Sequence, residues 1–284
     1  MAEDESSRQL IVAGTRLGPV PLVPEIRLHQ ASDPISLWQR TETTSGRTGL
    51  DPPFWAFAWA AGQALARYLL DHPRLARGRD VIDVASGSGL VAIAAAMAGA
   101  AAVTAYDIDP LATGAIEVNA AANDVTVRAV CADVLDRDDL PPPGTGLVLV
   151  ADAFYQRDLA GRVMRFAGRG QTRGAVVLAA DFGRAYLPRD RLRPLASYDV
   201  PGQRVTEDSD TKRTTIWSLA ERSGEIPDPA LHPDQGCGDP RSLGASGGRS
   251  HHQPHQPRKH LRALPTSGQP RPRLAVRRRN GPMM

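Results

Sequence analysis

Two clusters of residues in this chain have the types and spacing to do chemistry. The first is DVASGSG, residues 83–89, with Asp107 and Asp133 further along. Glycines that follow a buried strand let the backbone approach a ligand where the next helix begins. The pattern Gly87-x-Gly89-x-x-Ala92, with Asp107 twenty residues after Gly87, also satisfies the dinucleotide fingerprint. A nicotinamide-dependent dehydrogenase therefore has to be weighed. The second cluster is Asp152 with Tyr155 three residues later, directly after the apolar run LVLVA.

Electrostatics separates the candidate ligands of the first cluster. Asp83 stands four residues before Gly87, where its carboxylate would repel a pyrophosphate. S-adenosylmethionine carries an ammonium and a sulfonium and no phosphate. One charge pair at 4 Å is worth on the order of 4 kcal/mol in either direction at an effective dielectric near 20. An acid in this loop thus favours the cationic cofactor. Asp107 can accept both ribose hydroxyls, because an ionised carboxylate has two acceptor oxygens. Asp133 is placed to accept from the adenine amino group. Taken singly, each acid has a structural alternative: Asp83 could cap a helix or pair with an arginine, Asp107 or Asp109 could cap the following helix, and Asp133 is one of several acids in CADVLDRDD. Their shared placement at three successive strand ends points to a ligand, since ligands of open α/β sheets bind there.

The second cluster fits the acceptor of a methyl transfer. The donor is already activated, so aligning donor and acceptor supplies much of the barrier reduction. A lysine acceptor must also lose its proton, at roughly 4–5 kcal/mol at pH 7. An aromatic-lined channel favours the neutral amine by desolvation. Asp152 at its mouth could attract the ammonium and orient the amine. Phe54, Trp55, Phe57 and Trp59 could extend the wall or equally form an aromatic cap on the core. Ser86 and Ser88 lie in no G-x-S-x-G elbow, so hydrolase chemistry has no support. His29 and His72 have no partner motif.

These residues require a scaffold of alternating strands and helices. Short apolar runs at 80–85, 102–109, 125–133, 147–152, 174–181 and 213–221 read as strands. A helix with Ala61, Ala64, Leu65, Tyr68 and Leu69 on one face precedes the first and ends at Pro73. LVAIAAAMAGA, LATGAIEVNAAAN and AGRVMRFAGRG read as helices between strands. This alternation predicts an α/β fold with a parallel sheet covered on both faces. Residues 1–50 read as a polar, irregular N-terminal extension with one short strand, VPEIRLHQ; residues 51–223 read as the domain. Residues 224–284 are rich in Pro, Gly and His and read as a disordered basic tail whose deletion leaves fold and activity intact, or as out-of-frame translation.

Charge supports this division. The chain has a net charge of +3 over 284 residues, but the tail carries +6 and residues 1–223 carry −3. A wholly basic nucleic-acid-binding domain is thereby disfavoured. Two cysteines, Cys131 and Cys237, form neither a disulfide framework nor a cysteine-based zinc site. The acidic N-terminus has no secretory pattern, and the uncharged run from Gly89 to Tyr106 reads as a helix and a buried strand rather than a membrane span. A reducing, cytoplasmic setting is expected.

DVIDVASGSGLVAIAAA resembles the first motif of class I S-adenosylmethionine-dependent methyltransferases. PPFWAFAWAAGQALARYLLDHP, YDIDPLATGAIEVNAAAN, ADAFYQRDLA and the closing TKRTTIWSL resemble more narrowly the electron-transfer-flavoprotein β-subunit lysine methyltransferases, within the nicotinamide N-methyltransferase-like protein-lysine methyltransferases. The resemblance spans about residues 24–220. It implies a Rossmann-like sheet of seven strands, mostly parallel with the last antiparallel, and S-adenosylmethionine as cofactor. It implies that Asp83, Gly87 and Gly89 line the methionine end, that Asp107 binds the ribose, and that Trp59 lies near the cofactor. Ser86, Ile108 and Asp133 complete the implied cofactor set. Asp152 and Tyr155 match the acidic-x-x-aromatic signature beside the substrate lysine and are the implied catalytic pair. No metal is implied. One departure is Ala85, where many methyltransferases carry glycine. ADFGR, 180–184, stands where related chains have a similar turn, without a clear role. The implied partner is a protein presenting a lysine, either a flavoprotein subunit or a ribosomal protein, with neither membrane nor specific nucleic acid. A small-molecule N-methyltransferase and a non-catalytic binding module are the alternatives.

Overall fold

The computed structural model describes residues 2–46, 48–201 and 211–220, all within one contact unit, Met1–Ile226. The tail expected at 224–284 lies outside the described residues, as does Cys237.

A seven-stranded sheet positions everything else. Its strands are β3 (Asp80–Val84), β4 (Ala102–Asp107), β5 (Arg128–Cys131), β6 (Thr145–Ala151), β7 (Val176–Asp181), β8 (Leu192–Pro201) and β9 (Thr211–Leu219). The spatial order is β5-β4-β3-β6-β7-β9-β8. The five strands from β5 to β7 are parallel, and β9 runs antiparallel to both of its neighbours. This is the Rossmann-like sheet with a reversed last strand that the resemblance implies. The chain moves outward from β3 to β5 and returns to β6 beside β3. That reversal of order marks the ligand crevice at the strands' carboxyl ends.

The central strands are apolar on both faces, so burial alternates between two cores. Leu147 and Leu149 of β6 join the core under α3 (Ala60–Asp71), α4 (Leu90–Met97) and α5 (Pro110–Ala122). Val148 and Val150 face α6 (Arg157–Thr172), through Val163, Met164, Phe166 and Ala167. α4 is apolar nearly all round because it is almost wholly buried. α5 starts as its sequence demands, with Pro110 in the first turn and the Asp109 carboxylate accepting from Leu111 N–H at 2.8 Å.

The first fifty residues are not irregular. They form α1 (Ala2–Gly14), the antiparallel hairpin β1 (Arg16–Val20) and β2 (Val23–Gln30), and α2 (Pro34–Ser45). Val23, Ile26 and Leu28 are fully buried in the main core. Two side-chain amides of α5 hold β2: Asn123 accepts from Arg27 N–H at 2.9 Å and donates to its carbonyl at 2.6 Å, while Asn119 accepts from His29 N–H at 2.7 Å. Two further differences concern strands. β5 is shorter than the run 125–133, and β8 was not foreseen, because its exposed residues and Pro194 give an edge strand no apolar signature.

Candidate active site

The glycine loop is built from three left-handed residues. After β3 the chain turns through Ala85 (φ 54°), Gly87 (φ 55°) and Gly89 (φ 81°), and α4 begins. Ala85 adopts the conformation that explains a glycine preference at this point; a Cβ there costs roughly 1–2 kcal/mol. At Gly89 a Cβ would lie 3.2 Å from the Ile116 backbone, so this glycine permits α5 to close against the loop. A Cβ on Gly87 would lie 4.0 Å from the Trp55 Cα, so the aromatic segment runs past the loop.

Two acids frame the loop, and neutral donors brace them. Asp107 accepts from Gly87 N–H at 2.8 Å and from Asp109 N–H at 3.0 Å. Its remaining lone pairs leave capacity for hydroxyls. Ile108, beside it, is 69% exposed, an apolar side chain standing free at the strand end. Asp83 accepts from Ser86 Oγ at 2.5 Å and is only 1% exposed. Burial, with the Asp107 charge adding to it, pushes the Asp83 carboxyl up to about 7. Asp83 is thus a buried acid at the strand end, and a cation beside it would favour its ionised form. A pyrophosphate would worsen the same burden. The acidic frame, the glycine cradle and the exposed Ile108 therefore fit S-adenosylmethionine, and they oppose a dinucleotide.

The FWAFAWA segment divides its aromatics. Phe54–Ala56 forms a 3₁₀ turn, and Trp55 and Phe57 are buried with Ile11, Leu37, Ala112 and Ala115. Phe54 is exposed, and Trp59, partly exposed, donates its indole N–H to the Phe54 carbonyl at 2.8 Å. The segment is therefore a core cap at Trp55 and Phe57, with Phe54 and Trp59 left at the surface. Asp133 has taken another partner: its carboxylate pairs with Arg162 of α6 at 2.7 Å and accepts from Leu135 N–H at 3.2 Å. That ion pair gives Asp133 a structural role in competition with the adenine contact expected of it.

The acceptor side lies at the ends of β6 and β7. Asp152 is left-handed (φ 58°), its N–H bonded to the Ala180 carbonyl at 3.1 Å. Its carboxylate is gripped by Arg184, with Nε to Oδ1 at 2.5 Å and Nη2 to Oδ2 at 3.0 Å. Arg184 is itself held by Asp181, which accepts from the Gly183 and Arg184 N–H groups at 2.6 and 2.7 Å. The guanidinium lies 5.5 Å from the Tyr155 ring centre and 4.7 Å from that of Phe182. Tyr155 is half exposed; burial raises its phenol, and the charges of Asp152, Asp107 and Asp51 push the same way. Because β3, β4, β6 and β7 run parallel, the two clusters stand at the same end of the sheet. Arg184 is the residue that the sequence did not disclose: the turn was visible, but its partner is 32 residues away.

Comparison with known proteins follows the same division. Residues 63–151 match the family model of ribosomal protein L11 methyltransferase (PrmA). An electron transfer flavoprotein beta subunit lysine methyltransferase of Xenopus laevis is 34% identical over 220 residues, covering 75% of this chain and 86% of the relative. The Homo sapiens protein of the same description is 33% identical over 206 residues, covering 70% and 76%. The chain belongs to the electron transfer flavoprotein beta subunit lysine methyltransferase family. It is an enzyme, a methyltransferase whose cofactor is S-adenosylmethionine. A ribosomal protein L11 methyltransferase of Geobacillus thermodenitrificans is 48% identical, but over only 106 residues, 37% of this chain and 29% of the relative. Among the described residues no helix is long and apolar enough to cross a membrane.

Proposed function

We propose that this methyltransferase acts on a lysine Nζ of the electron transfer flavoprotein β subunit. The observation that carries this reading is the acceptor wall: Asp152 and Tyr155 stand at the same end of the parallel strands as the acids of the glycine loop, in a chain of which 75% aligns with a flavoprotein β-subunit lysine methyltransferase. The ribosomal protein L11 methyltransferase of Geobacillus thermodenitrificans matches only 37% of this chain, against 75% for the flavoprotein-methylating relative, so a ribosomal substrate has less support.

The residues divide the work. Asp83, Ser86, Gly87 and Gly89 would hold the methionine end of the cofactor, and Asp107 with Ile108 its ribose and base. Trp59 and Phe54 close the wall beside them. S-adenosylmethionine, when bound, supplies a methyl group on a sulfonium, already activated for in-line displacement. Tyr155 excludes water from the acceptor, which disfavours its charged form. Asp152 accepts a hydrogen bond from the amine and directs its lone pair, so the reaction is accelerated mainly by alignment.

The test is incubation of the full chain with tritiated S-adenosylmethionine and recombinant electron transfer flavoprotein β subunit, followed by peptide mass spectrometry. Label on a lysine of that subunit is expected. Label confined to small molecules, or on no lysine of that subunit, would overturn the reading.

A further inference from the structure

The acceptor site contains a cation that the methyl-transfer scheme above does not use. Arg184 fills both carboxylate oxygens of Asp152, and its backbone is anchored on Asp181. The pair is partly buried: the Asp152 side chain is 13% exposed and that of Arg184 28%. Its guanidinium also lies near the rings of Tyr155 and Phe182, which restrict where it can go. Arginine stays charged at any pH the enzyme meets, and its planar fork matches a carboxylate.

That arrangement changes what an arriving lysine encounters. A lone carboxylate stabilises an ammonium and raises its pKa; a carboxylate already paired with a guanidinium does so far less, and the neighbouring cation works in the opposite direction. Among the described residues, the other charged or titratable groups facing this point are Tyr155 after β6, Asp181 after β7, and Lys212 on β9, whose Nζ lies 4.2 Å from the Phe182 ring centre. Asp107 and Asp51 act on the same space through Tyr155. Arg184 is the one of these groups that touches the Asp152 carboxylate in a two-point bond.

We propose that Arg184 is a positioning residue of the acceptor site: paired with Asp152, it fixes that carboxylate as a hydrogen-bond acceptor while cancelling its charge, so that the substrate lysine is held as the neutral amine. The ammonium gives its proton to solvent on entry. The Nζ lone pair then remains for the methyl group, and Asp152 orients the amine without reprotonating it. The inference rests on the lysine-transfer reading above.

Two measurements on Arg184→Gln test it. The first is the pH profile of kcat with the flavoprotein β subunit. Loss of the guanidinium removes the two-point cation from the Asp152 carboxylate, so the ascending limb should move up by about 1–3 pH units. At pH 7 kcat should fall by about tenfold or more, with rate recovering as pH rises. Arg184→Lys, which keeps the charge but loses the fork, should retain the wild-type limb at a lower plateau. The second is calorimetry of β-subunit binding to the adenosylhomocysteine complex in buffers of differing ionisation enthalpy. Near pH 7 the wild type should release about one proton per site, and Arg184→Gln clearly less. Affinity for adenosylhomocysteine alone reports whether the variant is folded. A variant profile that superimposes on the wild type after scaling, or equal proton release, overturns the inference while leaving the lysine-transfer reading intact. A wild type that neither binds nor methylates the subunit overturns that reading, and this inference with it.

Discussion

The two halves of the site handle acid in opposite ways. At the ends of β3 and β4, Asp83 and Asp107 are braced by a hydroxyl and by backbone N–H groups. At the ends of β6 and β7, Asp152 and Asp181 share one arginine, Asp152 binding its guanidinium and Asp181 its backbone N–H. The first half leaves its negative charge for an arriving cation to satisfy. The second brings its own cation, and what arrives there must do so without one.

The contrast is most directly broken at Asp152. Asp152→Asn should lower methyl transfer by about a hundredfold or more, because alignment of the amine is lost. Affinity for adenosylhomocysteine, measured by calorimetry, should stay unchanged. Equal loss of both would move Asp152 into the donor half. Asp107→Ala should show the reverse pattern. Cofactor binding weakens by about 1–3 kcal/mol as hydrogen bonds to a charged group disappear. The β-subunit KM is expected to hold.

The donor half also predicts a pH dependence. Asp83 is a carboxyl raised in the folded state from 3.8 to about 7. The folded protein therefore holds a proton that the unfolded chain has lost, and stability falls as pH rises across that window. A bound cation reverses the burden and expels the proton. Cofactor affinity should thus tighten with pH by up to about tenfold per unit below 7 and level off above it. Calorimetric titrations at pH 6, 7 and 8 read this directly; Asp83→Asn should abolish the slope, and a slope that survives the substitution assigns it elsewhere. The smallest effect is expected at Asp133. Asp133→Ala breaks a surface pair with Arg162 and should cost less than about 1 kcal/mol in urea denaturation, with cofactor affinity unaltered. A tenfold loss of affinity would restore its adenine role.

Much of this was legible in the chain itself. The central strands and helices carry clear periods because they are buried on defined faces, and the acids at strand ends stand where an open sheet binds ligands. What escaped the reading depends on distant partners. Arg184 acquires its role from Asp152, and Asp133 is claimed by Arg162, 29 residues away. α1 opens with AEDESS, which has no apolar stripe, and Ile11 is buried through contacts with Trp55 and Ala115 that only the folded chain provides. The FWAFAWA segment mixes a 3₁₀ turn with extended backbone, so no single period could divide its wall from its core residues.

One buried amide joins the hairpin to the glycine loop. Asn119, fully buried, donates to the Ser88 carbonyl at 2.8 Å and accepts from His29 N–H. Both of its partners are main-chain groups, which every residue type but proline possesses. Substitutions at positions 29 and 88 can therefore accumulate without loosening this joint, whereas replacement of Asn119 severs it at a stroke. Sequence drift at these two positions is thereby decoupled from the joint, whose hydrogen bonds are carried by the Asn119 amide.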